Sequence, residues 1–154
     1  MRDILFRGKR RDNGEWVYGN YILQNDNDSK RANYLIPYIK PRNCVNMYPV
    51  DPDTVGQFTG LTDRNGKRIF EGDIFKADNG SQSCIAVVKF GEYFPKMFYD
   101  MLCMLNHGVR KIPAKGFYAE TVDKHEEMIL FQSPCVEVIG NIHDNPELLE
   151  VGEC

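Results

Sequence analysis

Four cations, Arg7, Lys9, Arg10 and Arg11, cluster near the N-terminus and are flanked by Phe6 and Trp16. Cationic heads neutralise phosphates while aromatic faces stack on bases, so this set has the chemistry of a grip on single-stranded nucleic acid. The same residues also suit the turn of a hairpin. A pI near 5.6 argues against a dedicated nucleic-acid binder, so nucleic acid stands as the alternative partner and not the favoured one.

Other motifs fall short of a reaction. Residues 60–67 imitate a phosphate loop, but five residues separate Gly60 from Gly66, and Lys67 is followed by Arg68 where a magnesium-binding Ser or Thr is needed. Asp63 and Asn65 begin a calcium-loop pattern whose third ligand position and distal Glu are missing. His143 and Asp144 resemble half of a phosphohydrolase metal pair, yet His107 and His125 stand at no ligand spacing from them. His125 beside Glu126 and Glu127 reads as a solvated charge run, because sequence neighbours on a strand point apart. No serine lies in a G-x-S-x-G elbow. The expectation is no catalytic residue, no metal site and no cofactor.

The setting follows from composition. The 154 residues, 27% charged and 42% hydrophobic, match a soluble globular chain. A chain of this length buries roughly 70% of its unfolded surface, enough for a core without disulfides. The first residues run into charge with no apolar leader, and no stretch of about 18 apolar residues exists to span a membrane. Five cysteines, at 44, 84, 103, 135 and 154, form no C-x-x-C pair, the pattern of free thiols in a reducing compartment. A cytoplasmic protein with no membrane partner is therefore expected. Residues 1–50 hold nine Lys/Arg against five Asp/Glu, and residues 117–154 hold one against nine, a gradient that neutralises itself in a fold or an oligomer.

The elements that must position these residues read as strands. Residues 4–6 and 16–22 flank an Asn-Gly turn at Asn13 and Gly14, a hairpin signature. Residues 34–39 form a strand whose Pro37 suits an edge or bulge. Pro41, Pro49 and Pro52 make 41–54 read as a linker. Residues 55–61 and 68–76 then flank a second Asn-Gly turn at Asn65 and Gly66, and strands are expected over 85–90, 117–122, 128–131 and 136–142. Gly66 and Gly72 are expected to need positive φ. One segment is helical: Phe94, Met97, Phe98, Met101, Leu102 and Leu105 recur at i, i+3, i+4, i+7, i+8 and i+11, with Pro95 at the start and Gly108 as a stop. Its methionine-rich stripe over 95–106 points to a homo-oligomer contact through Met97, Met101 and Leu105.

The run from Val50 through Val55 Gly56 Gln57 Phe58 Thr59 Gly60 Leu61 Thr62 Asp63 Arg64 Asn65 Gly66 Lys67 Arg68 Ile69 Phe70 Glu71 Gly72 Asp73 Ile74 resembles the hallmark of the YopX family of phage and prophage proteins. The opening residues 1–8 and the closing residues 136–149 are similar to that family's first and last motifs, in the right order. The resemblance implies a phage context, mostly β structure and a second part like an SH3-type barrel. It carries no catalytic residues and no established molecular function, and residues 81–127 hold no motif that aligns. The fold expected is mainly β: an N-terminal β-hairpin subdomain over residues 1–54, then a small SH3-type β-barrel with one short helix over 55–154. The function expected is a non-catalytic binding module for a protein partner or for itself. Its candidate interaction residues are Arg7, Lys9, Arg10, Arg11, Trp16, Met97, Met101 and Leu105.

Overall fold

A computed structural model describes residues 4–25, 35–78, 80, 83–94, 113–130 and 134–150. The described chain is mainly β, two antiparallel sheets whose only helical turns are two short 3-10 segments, Pro52–Thr54 and Pro146–Leu149. The helix expected over 95–106, with Met97, Met101 and Leu105, lies outside the described residues. The chain forms two compact units, residues 1–60 and 61–154.

In the first unit, β1 (Phe6–Lys9) and β2 (Trp16–Asn25) pair around the expected turn, with Lys9 opposite Trp16. The turn closes through Arg10 N to Glu15 O at 2.9 Å and Gly14 N to Arg10 O at 2.9 Å. From Asn20 onward, β2 turns to pair with β3 (Leu35–Lys40), and β4 (Tyr48–Pro49) borders β3 only at Tyr38 and Ile39. Pro37, expected at an edge or bulge, therefore stands inside a paired strand, between Leu23 of β2 and Val50, the residue that follows β4. The core is Val17, Ile39 and Val50, with Phe6, Tyr48 and Val55 against it. Residues 41–54 do more than link: Val50 is fully buried, its amide donates to Pro37 O at 2.9 Å, and Asp51 caps the 3-10 turn by accepting from Asp53 N. Prolines that rule out long strands still allow a short one flanked by a turn. β5 (Gly56–Thr62) pairs with β1 at Gly56 and Gln57, and the first sheet runs β4-β3-β2-β1-β5-β6, where β6 is Arg68–Phe70.

The second unit carries β7 (Asp73–Asp78), β8 (Ser83–Tyr93), β9 (Ala114–Thr121), β10 (Glu127–Ile129) and β11 (Val136–Asn141), in the sheet order β10-β9-β8-β7-β11. Its core follows the period of two: Phe75, Ala86, Val88, Ala119, Val136 and Val138 share a face with Ile69, and Leu61, Ala77, Met128 and Leu130 pack at its margin. A β-bulge between Val138 and Gly140 offsets the pairing of β11 with β7. Gly66 and Gly72 have φ of 78° and 79°, the positive values expected at both.

One buried side chain joins the turn before β6 to β11. Asp63 Oδ1 accepts from Asn65 N at 2.8 Å and Lys67 N at 2.9 Å, and Oδ2 accepts from Val138 N at 3.0 Å. Arg64 N donates to Val136 O at 3.0 Å, and the Arg64 guanidinium pairs with the Glu137 carboxylate. Asp73 acts likewise within the next turn, its Oδ2 accepting from Phe70 N at 2.7 Å. Burial of the Asp63 carboxylate opposes its ionised form, but the amide donors of Val138, Lys67 and Asn65 outweigh it, so its pKa lies below the ordinary 3.8.

Two outcomes follow. Asp63→Ala strands three amide donors, and a loss of about 2 to 4 kcal/mol in a urea melt at pH 7 is expected. Because the folded pKa is depressed, the stability that ionised Asp63 contributes is present above pH 3.8 and is lost as pH falls through the lower folded value. Wild-type stability should therefore drop more steeply than the variant's below pH 3.8, and parallel pH profiles would contradict the role. Gly66→Val introduces no clash, since nothing lies within 4 Å of an added Cβ, so its cost is the positive φ alone, about 1 to 3 kcal/mol. An unchanged melt would show that the turn tolerates the strain.

Candidate functional site

The basic hairpin is largely spent on its own unit. Arg7 is buried, with its Cζ 4.7 Å from the centre of the Trp16 ring, and Lys9 Nζ is 5.6 Å from the same ring. The alternation of β1 puts Arg7 and Lys9 on one face, and the register brings Trp16 to them. Arg10 lies over Tyr48 at 4.2 Å and forks onto Asp12, Nε to Oδ1 at 2.9 Å and Nη2 to Oδ2 at 2.5 Å. That fork raises the Arg10 pKa and lowers that of Asp12. Arg11 Nε donates to Val50 O at 3.1 Å. The structure thus unites Arg7, Lys9 and Trp16 and turns Arg10 and Arg11 toward Asp12 and the backbone of Val50.

The histidine motifs resolve into turns. Asn141 Oδ1 accepts from the amides of His143 and Asp144, both at 3.0 Å, which makes that pair part of a closing turn. His125, with φ of 51°, reaches Glu120 and not its sequence neighbours: Nδ1 lies 3.2 Å from Oε1, while Lys89 Nζ holds Oε2 at 2.7 Å. The Lys89 hydrogen bond, with His125 adding to it against partial burial, holds the Glu120 pKa below its ordinary value. Sequence reading misses Lys89 and Glu120 because they meet through the pairing of β8 with β9.

Among the described residues the second unit carries an open cleft of about 570 Å³. Its floor is apolar, including Phe75, Ala77, Ala119, Met128 and Val136, and its lip carries Asp78, Asp123, Lys124 and Glu126. Both terminal strands of the sheet, β10 and β11, contribute to it. Cys84 and Cys135 line it as thiols outside any disulfide, as Cys44 is elsewhere. Cys84 faces Ala77 across one edge of β7, and Cys135 O accepts from Asp78 N across the other. Two strand spacings, about 9.6 Å, therefore part them, beyond the roughly 7 Å limit for a disulfide. Burial first, then the Asp123 carboxylate, push the Cys84 thiol above its ordinary 9.0, so it lines the cleft as a neutral, weakly polar group. Among the described residues no group of three His, Cys, Asp or Glu could hold a metal, and no helix is long and apolar enough to cross a membrane.

A mainly β protein of two antiparallel sheets, with a ligand-sized cleft in the second, is the class that fold and site define. The chain belongs to the YopX protein family, whose pattern matches residues 5–150. The crystal structure of protein EF1440 from Enterococcus faecalis is similar in fold, with a TM-score of 0.50 and 21% identity over 97% of this chain and 99% of that one. No curated protein matches.

Alkylation of Cys84 by iodoacetamide is expected to be slower than that of an unhindered thiol at pH 8, and to speed up in Asp123→Asn as the repelling carboxylate is removed. Peptide mass spectrometry reads both rates, and a faster reaction in the wild type would contradict the neutral thiol.

Proposed function

We propose that this is a non-catalytic interaction module of a phage or prophage, working in the cytoplasm, with the cleft of its second unit as the binding site. The observation that carries this reading is the cleft itself, an apolar floor under a charged lip, in the size range of ligand sites. Family membership supports the phage context, and the free thiols suit a reducing compartment. An SH3-type barrel is the finer description of the second unit, supported by a sheet whose two end strands share one cleft. Self-association has surfaces to use, since Leu23, Leu35 and Phe90 are exposed. The alternative, a nucleic-acid accessory factor, gains little from Arg10 and Arg11 tied to Asp12 and Val50.

A nuclear magnetic resonance screen with apolar aromatic fragments such as indole tests the reading. Shift changes should cluster at Ala77, Cys84, Ala119, Met128 and Val136, and Cys84→Trp, which fills the cleft, should abolish them. A screen in which no fragment moves these resonances would remove the cleft as a site.

A further inference from the structure

Met128 and Ile129 are neighbours on β10, yet both line the cleft, as does Leu130 just past the strand's end. Neighbours on a strand project to opposite faces, so a cleft that Met128 and Ile129 both border meets the strand at its edge, where the backbone is. Among the described residues β10 ends the sheet order, with β9 as its one strand neighbour. Thr121 N donates to Glu126 O at 3.0 Å, so the alternation of an antiparallel ladder makes Met128 and Ala119 the next bonded pair and turns the N–H and C=O of Glu127 and Ile129 away from β9. Among the described residues no hydrogen bond to those outward backbone groups is present. On the opposite side of the sheet the corresponding edge is closed, since the turn at Asp63 and Arg64 occupies Val136 O and Val138 N.

The lip supplies the second half of the recognition. Asp78, Asp123 and Glu126 outnumber Lys124, and Asp78 is already held by Lys76 at 3.2 Å and by Gly80 N at 2.9 Å. An occupant that satisfies both the outward amides and this acidic lip is extended, apolar on one face and cationic. We infer that the cleft takes an extended basic peptide, which adds to the β10 edge as a further strand, places apolar side chains over Met128 and Val136, and sets lysine or arginine against Asp123. The inference rests on the cleft being the binding site.

The test uses the full chain with two short blocked peptides, one alternating valine and lysine and a twin with glutamate replacing lysine. The lysine peptide should bind about tenfold more tightly at low salt, shift the amides of Glu127 and Ile129, and slow their hydrogen exchange. Ile129→Pro removes one outward N–H without breaking a bond to β9 and should abolish binding, whereas Ile129→Ala keeps the N–H and should retain it. Asp123→Lys should erase the preference between the twins. Equal binding of the twins, or exchange at Glu127 and Ile129 that the peptide leaves unchanged, overturns the inference, and the exchange measurement decides even where Ile129→Pro does not fold. If indole occupies the cleft while neither peptide does, the inference falls and the cleft stands as a site; if nothing occupies it, both fall.

Discussion

The Asp63 carboxylate does for the second unit what no strand pairing does. It gathers three backbone amides, two from its own turn and one from β11, more than seventy residues away in sequence. A buried carboxylate is costly unless its oxygens are occupied, and here the cost is offset by charge-assisted bonds that are each stronger than a neutral one. The turn before β6 is thereby held against the far end of the chain, and the outer edge of β11 is closed. With β11 closed, the sheet edge that stays unpaired among the described residues is that of β10, beside the cleft.

The family hallmark looks different in this light. Asp63, Gly66, Gly72 and Asp73 are turn chemistry: two carboxylates that satisfy amides and two glycines at positive φ. The closing motif is of the same kind, with Asn141 capping the turn through His143 and Asp144. The segments that identify the family build its scaffold, while the cleft draws largely on residues outside those runs, Cys84, Ala119, Asp123 and Met128 among them.

The basic cluster shows how composition misleads about availability. Four cations close together suggest a phosphate grip, but a guanidinium forked onto Asp12, another bonded to a backbone oxygen and a third buried beside Trp16 have exchanged water for protein partners. The Arg10 charge is met by the Asp12 carboxylate, and Trp16 and Tyr48 serve as packing surfaces for the cations.

Much of the fold was legible because its signals are local. Asn-Gly turns, β-branched runs and alternating burial depend on residues a few positions apart, so the hairpin of β1 and β2, the positive φ at Gly66 and Gly72 and the strands from β7 to β11 could be read from residue types. What joins distant segments was not. Val50 shows no sign in sequence that it completes a core with Val17 and Ile39, and the prolines around it suggest a linker. His125 has Glu126 and Glu127 beside it in sequence, yet pairs with Glu120 because the turn reverses the chain. Register decides which strand residues face each other, and the order of strands decides which edge stays open. Both follow from the packing of the whole chain, so the cleft, its thiols and its acidic lip exist only in the tertiary structure.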